Sequence, residues 1–138
     1  MNHLFYTVDL PKETQENNNF RKVAWTGKYM QMVYMSLLAG EEISKEIHDH
    51  SDQLLRIEEG SAKAIVDDIE YLLDTGSTII IPSGSEHTII NTGEGLLKIS
   101  TLYAPPHHLN DRVHATKLDA ENDTENEEYG DLVYVIEQ

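Results

Sequence analysis

Two histidines and a glutamine stand close together in the segment EIHDHSDQLLRIEEG, residues 46–60. His48 and His50 are two positions apart, so on an extended chain their side chains lie on one face. Gln53 follows three residues later, where an apolar run begins. Imidazole nitrogens bind zinc, iron, nickel or copper, and an amide oxygen can complete the coordination shell. By itself the segment allows either a metal site or a polar edge of a sheet.

A third histidine lies downstream in GSTIIIPSGSEHTIIN, residues 76–91. Pro82 cannot donate to a β-ladder and therefore indicates the end of a strand. Gly84 predicts a turn, after which His87 stands at the start of the next strand. We expect Gly84 and Asn91 to serve turn geometry and backbone pairing.

The elements that must position these residues are short strands. Apolar runs with Gly, Asp, Ser or Pro between them fill residues 20–106, and no helical pattern interrupts them. Many evenly spaced strands without helices predict an antiparallel sandwich or barrel. The runs are FRKVAW, YMQMVYMSLLAG, QLLRIEEG, SAKAIVDD, IEYLLDTG, STIIIPSG, HTIINTGEG and LLKISTLYAPP.

Together the two histidine segments resemble the two motifs of the cupin superfamily. The second motif matches at every defining position, and the first matches at both histidines and Gly60, with Gln53 where the commonest form has glutamate. The flanking segments, residues 17–43 and 102–123, resemble small single-domain bacterial cupins of the mannose-6-phosphate isomerase-like group.

The resemblance implies an all-β fold, the cupin double-stranded β-helix, which is a jelly-roll-like barrel. We expect the barrel over residues 1–106, with its motifs at 40–60 and 76–91. We expect residues 107–138 to form a polar, partly flexible acidic extension. A short helix near ATKLDAEN is compatible with it, and the apolar end DLVYVIEQ predicts a short terminal strand.

The resemblance also implies one divalent metal ion inside the barrel (Zn, Ni, Mn, Fe or Cu), held by His48, His50, Gln53 and His87. All four ligands are neutral, so the ion would keep nearly its full charge. The set lacks the carboxylate of the two-histidine, one-carboxylate triad of Fe(II) oxygenases. This favours Lewis-acid isomerase or lyase chemistry on a sugar or keto acid.

In that reaction Tyr103 or a bound water would move a proton. One alternative is an Fe(II) or Cu dioxygenase. Another is a non-catalytic, ligand-binding dimeric cupin, because the sequence places no obvious acid, base or nucleophile beside the ligands. The cupin fold alone does not decide among these. We assign His107, His108 and His114 to a loop rather than to a second metal site.

Charge and composition limit the partners. The 138 residues carry 25 acidic and 10 basic side chains, for a net charge of -15. Nucleic acids and anionic membranes bind basic patches, so a small-molecule ligand is the expected partner. No cysteine is present, which excludes thiolate metal sites. We see neither a signal peptide nor a membrane-length apolar run, so we expect a cytoplasmic protein.

A homodimer is also expected. The run over residues 29–40 is largely apolar on both faces of the predicted strand, which indicates cover on both sides. The apolar terminal segment, residues 131–138, needs a partner as well.

Overall fold

Ten strands form two antiparallel sheets in the computed structural model, which describes residues 5–137. In chain order they are β1 (Arg21–Thr26), β2 (Gln31–Leu37), β3 (Glu42–Ile47), β4 (Asp52–Glu59), β5 (Ala62–Val66), β6 (Ile69–Leu73), β7 (Thr78–Ile81), β8 (Glu86–Asn91), β9 (Leu97–Ala104) and β10 (Val113–His114). One sheet has the order β10-β1-β2-β9-β4-β7, and the other has the order β3-β8-β5-β6.

A single apolar core joins the two sheets. Strands β1, β2, β4, β7 and β9 contribute to it from the larger sheet, and β3, β5, β6 and β8 from the smaller. Strand β8 shows the expected alternation, with every second side chain buried from His87 to Asn91. The predicted cupin double-stranded β-helix is confirmed, and the members of its core include Val33, Leu37, Ile43, Ile57, Ala64, Ile89, Leu97 and Ile99.

Strands β2 and β9 are buried along almost their whole length, as the two apolar faces of residues 29–40 predict. Part of the cover is a helix that the sequence analysis did not predict, α1 (Leu10–Glu16), which packs against β2, β4 and β9. Its start carries ordinary helix signals, because Asp9 accepts a hydrogen bond from Lys12 N and a proline lies in the first turn.

Strand β3 contains a β-bulge that determines where its side chains point. Ile43 pairs with Ile89 and Glu46 pairs with His87, so two residues of β3 lie opposite one residue of β8. If residues 43–46 formed a regular strand with no bulge, strict alternation from the buried Ile43 would turn Glu46 outwards. The bulge changes the phase, so that Glu46 shares a face with its cross-strand partner His87.

The chain after β9 folds back onto the barrel. Strand β10 pairs with β1, so the larger sheet continues beyond the boundary expected at residue 106. Two helices follow, α2 (Lys117–Asn122) and α3 (Thr124–Glu137). The position of α2 agrees with the helix considered for ATKLDAEN.

The predicted terminal strand is wrong for residues 131–137, which continue α3, and Gln138 lies outside the described residues. Asp123 accepts a hydrogen bond from Asn126 N at the start of α3, and Glu125 and Glu127 stand in its first turn. Such caps and acidic residues stabilise a helix start. The strand preference of the β-branched residues that follow is weaker than this context. Across residues 5–137, none of the helices is long and apolar enough to span a bilayer.

Candidate metal centre

Three side chains converge at one end of β3 and β8. One ligand atom each of Glu46, His48 and His87 lies within 4.8 Å of the other two. Glu46 Oε2 is 2.9 Å from His48 Nε2 and 3.9 Å from His87 Nε2. Both histidines are buried, and Glu46 is partly exposed. A compact set of two imidazoles and one carboxylate is a common metal-binding combination.

Local backbone geometry brings these three together. The bulge in β3 places Glu46 opposite His87. His48 follows directly after β3, and its carbonyl oxygen accepts a hydrogen bond from Gly84 N at 3.0 Å. Gly84 has a φ of 87°, a left-handed conformation that favours glycine at this turn. The glycine of the second motif therefore ties the turn before β8 to the histidine of the first.

The hydrogen bonds leave the imidazoles free to coordinate. His87 Nδ1 lies 3.1 Å from Ser85 O, so Nδ1 carries the hydrogen and Nε2 keeps its lone pair. The Nε2 atoms of His48 and His87 are both buried, and apart from the Glu46 carboxylate beside them neither has a hydrogen-bond partner among the described residues. Buried imidazole nitrogens rarely stay unpaired. The donor set therefore fits a metal ion.

Electrostatics keep the carboxylate ionised. Burial by itself would raise the pKa of Glu46, but the interactions with His48, and the charges of Arg21 and His87, outweigh it and lower the pKa to about 2. Burial lowers the pKa of His87, which favours the neutral ring that a metal requires.

The four ligands expected from the sequence are placed as follows. His48 and His87 belong to the cluster, whereas His50 lies in the turn between β3 and β4 and is not part of it. Gln53 is buried on β4, with Nε2 donating to Thr101 Oγ1 at 3.0 Å and Oε1 unpartnered. A free, buried amide oxygen is compatible with a ligand role. The assignments of His50 and Gln53 stay predictions.

Glu46 was missed by the sequence analysis. Its spacing from His48 is the same i, i+2 spacing that drew attention to His48 and His50. The pattern Glu-x-His-x-His therefore contained the signal. It could not be separated from the other acidic residues of this chain without knowledge of the bulge.

A cluster of rings borders the metal centre. His107 lies 4.3 Å from His48 between ring centroids, and its ring stacks on Tyr103 at 5.4 Å. Tyr103 and His108 contact at 5.0 Å. His107 and His108, which were assigned to a loop from the sequence, lie in the loop after β9, beside the site. The loop assignment is wrong for His114, which stands on β10 and pairs with Asp123.

The buried side chain of Gln31 holds these two histidines in place. Its Oε1 accepts hydrogen bonds from the backbone N–H groups of His107 and His108, at 3.1 and 2.9 Å. Its Nε2 donates to His108 O at 2.8 Å. The loop after β9 is therefore fixed to the middle of the sheet.

Burial also changes the protonation of this ring cluster. It raises the pKa of Tyr103, which keeps its proton at neutral pH. Burial and the charge of His48 lower the pKa of His107 to about 3. Burial, followed by the charge of Arg21, lowers the pKa of His108 well below its usual range.

A cavity of about 370 Å³ opens next to the cluster, between the barrel and the two C-terminal helices. Its size is at the lower end of the range for small-molecule sites. The residues around it include Arg21, Glu46, His48, His107, His108 and Asn126.

This fold and this site define a class of protein. The Cupin_2 family model, "Cupin domain", matches residues 33–103, just over half of the chain. The chain belongs to the cupin family.

Three relatives are similar over most of the chain. YrkC of Bacillus subtilis is 42% identical over 83% of this chain, which spans 65% of that protein's length. A protein of Acanthamoeba polyphaga mimivirus is 40% identical over 75% of this chain and 67% of its own. The crystal structure of BH2720 from Bacillus halodurans has a TM-score of 0.83 and 38% identity, covering 84% of this chain and 92% of that one.

Proposed function

We propose that this cupin binds one divalent metal ion through Glu46, His48 and His87 and holds a small polar ligand in the adjacent cavity. The observation that carries the proposal is the convergence of three ligand atoms, with two buried imidazole nitrogens that have no other partner among the described residues. Gln53 Oε1 is a candidate fourth ligand. Such a metal would supply Lewis-acid polarisation of a ligand oxygen.

We keep isomerase or lyase chemistry on a sugar or keto acid as the leading reaction class. What supports it is a ring cluster that offers proton-carrying groups beside the ligand atoms. His107 borders the cavity, and Tyr103, the residue expected to move a proton, stacks on it. The likeness of the flanking segments to the mannose-6-phosphate isomerase-like cupins points the same way.

The presence of Glu46 in the cluster supports a second candidate function, an Fe(II) or Cu dioxygenase. The preference for Lewis-acid chemistry over oxygen chemistry was drawn from a ligand set without a carboxylate. Two histidines and a glutamate are compatible with Zn²⁺ sites and also with the Fe(II) oxygenase triad. Oxygen uptake by the Fe(II)-loaded and Cu-loaded protein with candidate acids and sugars separates the two. A non-catalytic ligand-binding cupin remains if neither activity is found.

The experiment that tests the metal centre is elemental analysis of untagged protein purified without chelator. We expect near-stoichiometric metal in the wild type and its loss in the His48→Ala/His87→Ala variant. Comparing Glu46→Gln with His50→Ala distinguishes the two ligand sets. If Glu46 is a ligand, the first variant loses most of the metal, and His50→Ala retains it unless His50 also coordinates.

Two results would contradict the proposal. One is full metal content in the double histidine variant. The other is a wild type that takes up no metal after incubation with Zn, Ni, Mn, Fe and Cu in turn. The second result would leave a metal-free binding barrel as the better description.

The proposal includes a homodimer in the cytoplasm. What supports a dimer is strand β6, an edge strand whose residues 69–72 are all exposed although three of them are apolar. Exposed apolar edge strands commonly pair with another chain.

A further inference from the structure

We propose that the cavity beside the metal centre binds the carboxylate of a small organic acid through Arg21 and His108. This rests on the proposed function only in one respect, which is that the other end of the acid would reach the metal. The inference itself comes from two buried polar side chains that line the cavity, each with one side-chain nitrogen that has no hydrogen-bond partner among the described residues.

Arg21 is the first of these. It stands on β1, its side chain lines the cavity, and it is only 7% exposed. Its Nε is buried and unpartnered, and none of the described side chains forms an ion pair with its guanidinium. Arg is always charged in proteins, and a buried charge is costly unless it is paired at close range. Glu46, whose pKa the charge of Arg21 lowers, offsets it only from beyond ion-pair distance. A cavity that retains this charge is therefore suited to an anion.

His108 is the second, and its hydrogen bonds reveal which nitrogen carries the hydrogen. Asn126 Oδ1 accepts from Leu109 N at 2.7 Å, so the amide group of Asn126 faces His108. Asn126 Nδ2 then donates to His108 Nδ1 at 2.8 Å. The hydrogen of the neutral ring must be on Nε2, which is buried and unpartnered. His108 thus offers a donor to the cavity.

The remaining charges select a carboxylate over a phosphate. The outer wall of the cavity carries the exposed acidic residues Glu121, Glu127 and Asp131. A doubly charged phosphate would meet this wall with only Arg21 and the partly exposed Lys117 to offset it, whereas a carboxylate carries one charge and matches the planar guanidinium of Arg21. With a metal bound, Glu46 is coordinated to it and offsets Arg21 less. The positive charge of Arg21 is then less compensated, which favours the binding of an anion.

The test is calorimetric titration with malonate and succinate, with malonamide and succinamide as neutral counterparts, and with inorganic phosphate. We expect the acids to bind wild type more tightly than the amides and more tightly than phosphate. Arg21→Gln should weaken acid binding at least tenfold, and Arg21→Lys should give a smaller loss. The matched control is Lys22→Gln, which removes a charge from the exposed face of the same strand and should change binding less than twofold.

Metal-loaded and chelator-treated proteins are titrated in parallel, and the metal content of each variant is measured. Acid binding that depends on Arg21 in both forms supports this subsite even if the metal centre itself is absent. Equal affinities of wild type and Arg21→Gln, including no binding by either, overturn the inference, as does tighter binding of phosphate or the amides. Thermal melting of Arg21→Gln and Arg21→Lys checks that each variant is folded at the temperature of the titration.

Discussion

Asp123 connects the last strand to the last helix. Its Oδ2 lies 2.8 Å from His114 Nε2 and 3.3 Å from Arg112 Nε, and its Oδ1 accepts from Asn126 N at 3.1 Å. The hydrogen bond with His114 is the main reason that the pKa of Asp123 is lowered, and the capping bond and Arg112 add to it. One carboxylate thus anchors α3 to β10.

We expect Asp123 to make the protein sensitive to acid. A carboxyl group whose pKa is lower in the folded than in the unfolded chain stabilises the fold above its unfolded pKa. That contribution disappears as the pH falls from about 4 through the lower folded pKa. Asp123→Asn should lower the free energy of unfolding at pH 7 by about 1.5 to 3 kcal/mol, as for hydrogen bonds to charged groups.

Urea unfolding between pH 2.5 and 7 measures this effect. Below pH 3 the variant and the wild type should approach each other in stability. A constant difference across the whole range would show that the ionisation of Asp123 does not contribute. The exposed Asp119→Asn is a less suitable control because it removes the capping box of α2, so Asp68→Asn is preferred.

Individual site residues differ in how far the sequence predicts them. His48 and His87 follow from local patterns, because each stands at the expected distance from a glycine of its motif, Gly60 for His48 and Gly84 for His87, and both glycines have the left-handed φ of a turn. Glu46 depends on a bulge, and Arg21 and His108 depend on contacts between segments far apart in the chain. Their burial comes from tertiary packing, which strand periodicity does not encode.

At the scale of elements, helix α3 packs closely against His107 at the edge of the site. A Cβ on Gly130 would lie 2.8 Å from His107 Cε1 and 3.1 Å from His107 O. These distances are too short for a methyl group unless the helix or the ring moves. The absence of a side chain at this position lets α3 approach the histidine that borders His48.

Gly130→Ala should therefore weaken the packing of α3 against His107 and lower the stability of the protein. Alanine favours helix by about 1 kcal/mol over glycine. Overpacking typically costs about 1–3 kcal/mol, so the clash with His107 should outweigh the gain in helix propensity. The free energy of unfolding should fall by up to about 2 kcal/mol. Hydrogen exchange of the α3 amides should become faster, and thermal melting should report the loss.

The matched variant is Gly95→Ala, because a Cβ at Gly95 meets nothing within 4 Å. It should leave both measurements unchanged. Slower exchange in α3 of Gly130→Ala would mean that helix propensity is decisive and that the close contact has little energetic effect.

The strands were predictable and two of the helices were not. Alternating apolar residues bounded by Gly, Asp and Pro identify β4 to β9, because sheet burial follows a period of two. Helix α1 is a seven-residue element whose cap signals are easily passed over. In α3 the apolar end, rich in β-branched residues, resembles a strand. The helix continues through it because Asp123 caps its start, and none of the strands in residues 5–137 pairs with this segment.

At the scale of the whole molecule, apolar side chains remain exposed on edge strands. Leu72 on β6 is 80% exposed and Ile80 on β7 is 67% exposed, while the chain carries a net charge of -15. Such side chains are individually ordinary. Along β6, however, Ile69, Tyr71 and Leu72 are all exposed within four residues of an edge strand.

We expect a dimer that uses β6. Size-exclusion chromatography with light scattering should give twice the monomer mass of 15.7 kDa. Leu72→Lys should shift the equilibrium towards monomer, because charge on an edge strand opposes pairing. Leu118→Lys, at an exposed position on α2, should not. A monomeric wild type at 100 µM, or a dimer unaffected by Leu72→Lys, would contradict this.

The bulge in β3 has a consequence for how this chain can change over evolutionary time. Ser44 and Lys45 are exposed and lie opposite a single residue of β8. Loss of one of them would turn the bulge into regular pairing, with Ile43 still opposite Ile89 and Glu46 still opposite His87. Loss of both would place Glu46 directly after Ile43 and turn its side chain outwards. Descendants of this chain should therefore tolerate a one-residue deletion at this point without losing the metal centre, whereas a two-residue deletion should abolish it.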